Sequence, residues 1–384
     1  MRILIGHNAY QQRGGEDAVV QAEHELLQAH GHDVRLFSRH NDEVAGIGPV
    51  ALATQTLWSS PSSQALAAMM SDWRPDVVHF HNTFPLISPA AYWACAGADV
   101  PVIQTLHNFR LLCPQAMFLR DGHVCEDCLG RLPWRGAARA CYRGSRTQST
   151  AVASMLVLHR ALGTWRRKVT RYIALNEFCR AKFVAGALPA ERVVVKPNFI
   201  DCDAPPEGAR DGLLFVGRLS IEKGVGALAQ AVPMAGVPLR VAGSGPQAAL
   251  LDGVPGVQML GMLAPEAVYG QMAQARALVL PSLWYECFPR TVVEAFANGL
   301  PVIASRLGAL PELVQDGQTG LLFDPGDAAD MARKMRWAQS HAQEMAVMGG
   351  NARARYEAKF TGSRNHDQLM AIYQGAIDEV SRPH

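Results

Sequence analysis

The sequence predicts an α/β fold made of two doubly wound domains, and three observations carry that expectation. The chain is 384 residues long, more than one ordinary hydrophobic core accommodates. Two successive series of short apolar runs alternate with segments of helical period. Between the series, Asp201 to Gly212 is dense in Pro, Gly and Asp and reads as a hinge.

The first series opens with a strand at Arg2–Gly6, a polar glycine-bearing loop at His7–Gly15 and a helix over Glu16–His30. Strands follow at His32–Phe37, Asp76–Phe80, Val100–Leu106, Tyr172–Leu175 and Val193–Val195. The second series has strands at Leu213–Val216, Leu239–Ala242, Val257–Leu260, Ala277–Leu280 and Pro301–Ala304, with helices near Gly224–Ala235 and Pro265–Ala275. Everything from Asp327 onward has a helical pattern. These divisions place a first domain at 1–200, the hinge at 201–212, a second domain at 213–365, and a last helix at 366–384 that crosses back to the first domain. Open parallel sheets bind ligands at the carboxyl ends of their strands, so the two domains are expected to face each other across a cleft.

Apolar residues make up 49% and charged residues 18% of the chain, with a net charge of +2. That balance describes a globular protein without general attraction to nucleic acid. The charge is uneven, because Arg131 to Arg171 holds ten Lys or Arg and no Asp or Glu. Trp134, Tyr142 and Trp165 interleave with those cations, a combination that suits an anionic membrane surface as well as it suits an ordinary solvated face. The N-terminal apolar run is too short for a signal sequence and no later window reaches the length of a spanning helix. A cytoplasmic location, at most peripheral on the membrane, and reduced cysteines are the expectation.

Glu286 and Glu294 bracket a loop that leads into a helix N-terminus, with Pro289 suited to the first turn. A helix N-terminus seats a phosphate, and a carboxylate on either side can accept hydrogen bonds from sugar hydroxyls. A sugar, a diphosphate and a ribose in a row have that layout. Gly217-Arg218-Leu219 with Glu222-Lys223-Gly224 follows a strand and precedes a helix, so Arg218 and Lys223 can reach one anion. Val241-Ala-Gly243-Ser-Gly-Pro246 is a second such turn, and Gly14-Gly15 follows the first strand at the analogous place.

Together these motifs resemble glycosyltransferase family 4, in order and spacing, over nearly the whole chain. The resemblance implies a GT-B architecture of two Rossmann-like domains, a nucleotide-sugar donor held by the second, and transfer with retention of configuration. It implies that Arg218 and Lys223 bind the diphosphate, Glu286 holds hydroxyls of the donor sugar and Glu294 binds the ribose. Backbone amides from Phe288 through Pro289, Arg290 and Thr291 to Val292 add contacts to phosphate and sugar. Gly217 and Gly243 allow close approach to the donor, and Gly14 and Gly15 allow it to a donor phosphate or an acceptor sugar. His107, at the end of a strand, corresponds to a histidine directed at the donor sugar. No catalytic metal is expected, since Asp201-Cys202-Asp203 falls in the hinge. A lipid-linked saccharide acceptor, as in exopolysaccharide or O-antigen assembly, is implied for many such proteins. A nucleotide-sugar epimerase or hydrolase and a non-catalytic nucleotide-sugar binder remain as alternatives.

Cys113, Cys125, Cys128 and Cys141 fall in an insert at about 108–145. Four thiolates can hold a tetrahedral zinc, and structural zinc is the expectation here, ahead of free thiols or a redox pair. Only a subset of the family carries such an insert.

Overall fold

A computed structural model describes residues 1–12, 14–202 and 208–381. The expected hinge therefore lies partly outside the described residues, as does Asp203 of the Asp201-Cys202-Asp203 sequence. Two compact units emerge, one of 1–118, 126–198 and 365–384, the other of 119–125 and 199–364.

The first unit is a six-stranded parallel sheet made of Arg2–Ala9, Asp33–His40, Val77–Asn82, Val102–Leu106, Arg171–Ala174 and Val193–Val195. Numbered along the chain, their spatial order is 2-1-3-4-5-6. The helix Gly15–Ala29 starts at Gly14, whose N–H donates to Asp17 Oδ2 at 2.8 Å. Its buried stripe is Val19, Val20, Glu23 and Leu27, spaced to face the sheet. The final helix, Gly362–Ser381, sends Leu369, Tyr373 and Ala376 into the core formed by Ile3, Ile5, Ile103 and Ile173.

The second unit has strands Leu213–Val216, Leu239–Ala242, Val257–Gly261, Ala277–Leu280, Val302–Ser305 and Gly320–Phe323, also parallel, in the order 3-2-1-4-5-6. Its sheet is covered on both faces. Leu213, Phe215, Ala277 and Val279 pack into one core, whereas Leu214, Leu278 and Leu280 pack into the other. Side chains alternate across a strand, so a sheet buried on both sides needs apolar residues at every position. That is why these strands read as continuous apolar runs. The strand Gly320–Phe323 was not expected from the sequence. It is four residues long and opens on a glycine, and only its pairing with Val302–Ser305 makes it a strand.

Candidate functional site

Ligand sites in open parallel sheets form where the strand order reverses. In the second unit that point lies between the adjacent strands Leu213–Val216 and Ala277–Leu280. The two loops leaving them are 217–224 and 281–289, the motif loops singled out by the sequence. They are joined by backbone, since Leu283 N–H donates to Glu222 O at 2.8 Å. Gly224 sits at φ 72°, and a Cβ there would lie 1.8 Å from Pro281 O. Only glycine lets the loops close this far.

That closure brings Lys223 Nζ to 2.6 Å from Glu286 Oε1. Ser282 Oγ donates to the same oxygen at 2.7 Å. Glu286 is 4% exposed, so its charge is offset by one ammonium and one hydroxyl, while Oε2 keeps lone pairs for another donor. Lys223 has two further N–H bonds to offer. Arg218 is exposed and, among the described residues, has no carboxylate within 4 Å. The loop thus offers a fixed cation and a free one.

The helix Arg290–Ala297 begins just beyond, with Pro289 as its N-cap rather than in its first turn. No side chain caps it. Its first amides are therefore aimed at whatever lies before the helix. Glu294, one turn in, is only partly exposed, and burial raises its carboxyl pKa despite the opposing charge of Arg290, whose Nη2 is 3.7 Å away. Arg290 Nη1 is buried and has no partner. Lys223 with Glu286 and Arg290 with Glu294 accordingly form two pairs on neighbouring segments of one unit. Gly243 has a packing role: a Cβ there, at φ 147°, would meet Gly217 O at 1.9 Å. Gly243 lets two strand-end loops touch, whatever it does for a ligand.

In the first unit the helix start at Gly14 and Gly15 already holds two carboxylates, Glu16 and Asp17. Asp17 Oδ1 is 2.8 Å from His7 Nε2. Glu16 Oε2 accepts from Tyr10 OH at 3.0 Å, Glu16 Oε1 is buried without a partner, and burial pushes its pKa up to about 8. Such surroundings suit neutral hydroxyls.

His107 ends the strand Val102–Leu106 and is joined by Nε2 to His81 Nδ1 at 2.9 Å. Behind it lies a buried group that the sequence reading missed. His81 Nε2 is 3.1 Å from Glu23 Oε2, and Glu23 Oε1 is 2.7 Å from Lys196 Nζ, with Glu23 and Lys196 each 1% exposed. His79 reaches Tyr373 OH and Thr105 Oγ1, both at 2.7 Å. The signals were present: a glutamate on the apolar stripe of a helix, two histidines alternating within an apolar strand, and a lysine closing Val193–Val195.

Glu23, His79 and His81 are the one group of three or more potential metal ligands within 4.8 Å among the described residues. The resident Lys196 ammonium already neutralises Glu23, and Tyr373 occupies His79 Nδ1, so a second cation is disfavoured there. The expected cysteine quartet is not assembled. Cys113 and Cys128 are buried and Cys125 and Cys141 partly so, without gathering into such a group. Aromatic packing orders the insert instead, with fully buried Phe109 against Phe118 and Phe183 at centroid distances of 4.9 and 5.5 Å. In the basic segment Trp165 is buried rather than on the face, while Leu132, Trp134 and Leu162 are exposed, as are Arg143, Arg146, Arg166 and Arg167. Among the described residues no helix is long and apolar enough to cross a membrane.

Two six-stranded parallel units of this kind define the GT-B fold. The Anabaena protein HepE, solved in complex with UDP, aligns over 97% of this chain and 100% of its own at a TM-score of 0.68 and 20% identity. Sucrose-phosphate synthase of Thermosynechococcus elongatus aligns over 98% and 99% at a TM-score of 0.71 and 19% identity. A family model described as Glycosyltransferase Family 4 matches residues 13–204, and one described as Glycosyl transferases group 1 matches 210–341. The chain belongs to glycosyltransferase family 4. It is 36% identical over 324 residues to a GDP-mannose-dependent alpha-mannosyltransferase of Corynebacterium glutamicum, covering 79% of this chain and 71% of that one. With glycogen synthase of Mycobacterium tuberculosis it shares 30% identity over 69% of its own length, and the match spans 60% of that protein.

Proposed function

We propose that the protein is a retaining glycosyltransferase that moves a sugar from a nucleoside diphosphate to a saccharide acceptor carried on a lipid. The observation that carries this reading is the Lys223–Glu286 pair beside a helix N-terminus and Glu294, in a member of this family. Charge grows on the departing diphosphate in the transition state, so Lys223 and Arg218 act where electrostatic stabilisation contributes most. The leaving phosphate oxygen itself can take the acceptor proton on the same face of the sugar, so no separate base is needed. Glu286 Oε2 accepts from sugar hydroxyls, Glu294 from the ribose diol, and the first amides of the helix Arg290–Ala297 bind between them. UDP and UDP-glucose in complexes of HepE, and the GDP-mannose dependence of the related mannosyltransferase, support the donor class.

A lipid-linked acceptor and a place in polysaccharide assembly are part of the same proposal. A cavity lined by Leu111, Leu132, Trp165, Arg160 and Arg166 combines apolar walls with cations, which suits a lipid carrying a phosphate. Exposed Leu132, Trp134 and Leu162 among arginines suit peripheral contact with an anionic leaflet.

A panel of UDP-, GDP- and ADP-sugars tested for thermal stabilisation checks the donor reading. At a hundred times its Kd one donor should stabilise by about 2.7 kcal/mol, and a panel without any shift would remove the proposal. The role of Glu294 has its own check. Its carboxyl must ionise to accept two hydroxyl donors, and its pKa is raised by burial. Donor affinity should therefore increase as pH rises through that pKa, with a proton released on binding. Glu294→Ala should weaken nucleoside diphosphate binding by roughly tenfold or more, the loss of hydrogen bonds to a charged group, and should abolish the pH dependence measured by calorimetry.

A further inference from the structure

The buried chain His107–His81–Glu23–Lys196 has a defined polarity: hydrogen bonds join His107 to His81 and Lys196 to Glu23, and in the middle His81 Nε2 and Glu23 Oε2 face each other at 3.1 Å, out of hydrogen-bond alignment and with no other hydrogen-bond partner. Burial works against the Glu23 carboxylate, but Lys196, His81 and His79 overcome it and hold its pKa well below the usual range. Glu23 is thus an acceptor only. His81 Nε2 lies 3.1 Å from Glu23 Oε2, and a lone pair on that nitrogen would face the carboxylate charge, so the ring keeps its proton there. Burial, with Lys196 and His7 nearby, lowers the pKa of His81 against the pull of Glu23, so the ring is neutral and its Nδ1 carries a lone pair. His107 Nε2, 2.9 Å from that lone pair, must then be the donor. Burial and the neighbouring His81 also hold the pKa of His107 well below the ordinary value, so it too is neutral. The remaining nitrogen, Nδ1, is left bare.

We infer that Glu23 and His81 are positioning residues that lock His107 in the tautomer with its lone pair on Nδ1, making it a hydrogen-bond acceptor for a hydroxyl of a bound saccharide. The inference rests on the glycosyl-transfer reading for its ligand, though not for its tautomer. The role of Lys196 is to keep Glu23 ionised in a place where a lone carboxyl would take up a proton. The same logic orients metal-bound and catalytic histidines elsewhere: the partner of one ring nitrogen decides what the other presents.

The test is nitrogen NMR of the full chain with 15N-labelled histidine, with the His107 signals assigned by loss in His107→Asn. The parent should show a pyridine-like Nδ1 and a protonated Nε2 at His107. The paired variant Glu23→Met/Lys196→Met removes both buried charges together, since removing one alone leaves the other uncompensated. There His81 is released and both nitrogens of His107 should move to averaged shifts; His81→Phe should do the same by a second route. A pyridine-like Nε2 or a doubly protonated ring in the parent would overturn the inference, as would an unchanged pattern in both variants. Titration with UDP-glucose, GDP-mannose, their diphosphates and free methyl glycosides then locates the hydroxyl. A shift of Nδ1 with a sugar-bearing donor but not with its diphosphate places it on the donor sugar. A shift with the glycosides places it on the acceptor. No Nδ1 shift with any of them would remove the ligand half of the inference. In the paired variant the advantage of the nucleotide sugar over its diphosphate should fall about twofold, because half of the molecules then present the wrong tautomer. Failure of every nucleotide sugar to bind would count against the transferase reading while leaving the tautomer result intact.

Discussion

Lys223→Ala is expected to lower turnover by about a hundred- to a thousandfold, the range for removing one preorganised contact to developing negative charge. Two losses combine. The leaving diphosphate loses a cation held in place by Glu286, and Glu286, 4% exposed, loses its ion-pair partner and retains only the Ser282 hydroxyl. The second loss affects stability as well as rate. Because Lys223 retains some exposure, it should cost about 1–3 kcal/mol, below the figure for a fully buried pair. Lys223→Met with Glu286→Gln removes both charges and should recover stability without recovering turnover. Arg218→Ala provides the contrast: its side chain is exposed, so rate should fall while the unfolding midpoint stays in place. The measurement is nucleoside diphosphate release with the donor identified by the panel and acceptor-containing membrane extract. A Lys223→Ala enzyme within a factor of three of the parent would contradict the assigned role.

The largest stability effect is expected at Gly224. An alanine there would need φ 72°, which disfavours any side chain, and would place Cβ 1.8 Å from Pro281 O. Backbone must move, so a loss of about 4 kcal/mol or more is expected, with the 217–224 loop displaced from 281–289. Gly226→Ala is the control, since nothing lies within 4 Å of its Cβ and it sits inside the helix Val225–Ala235. It should be neutral or stabilising by about 0.5–1 kcal/mol. Urea unfolding of the three proteins decides the matter; a Gly224→Ala midpoint equal to that of Gly226→Ala would mean that close approach of these loops is not required.

Most of the sheet architecture was legible because each strand of a doubly covered parallel sheet must be apolar throughout. Runs such as Leu213–Val216 and Ala277–Leu280 announce themselves. Gly320–Phe323 did not, since its identity as a strand comes from its partner. Among candidate site residues, Lys223, Glu286 and Glu294 were legible because one unit builds their surroundings from contiguous motif loops. In the cysteine insert, spacing alone does not fix where four thiols meet: they do not gather into one group here, and the buried Phe109, Phe118 and Phe183 pack the segment.

By itself, the order of residues determined the two parallel sheets, the loops at their carboxyl ends and the charged groups those loops carry, because hydrophobic period and glycine placement are local properties. Tertiary structure alone decided which partners those groups meet. Glu23 and Lys196 stand 173 residues apart and are joined at 2.7 Å. No local pattern pairs a glutamate on a helix stripe with a lysine at a strand end. That pairing follows from the sheet order, which brings both side chains into one dry interior where neither charge is stable alone.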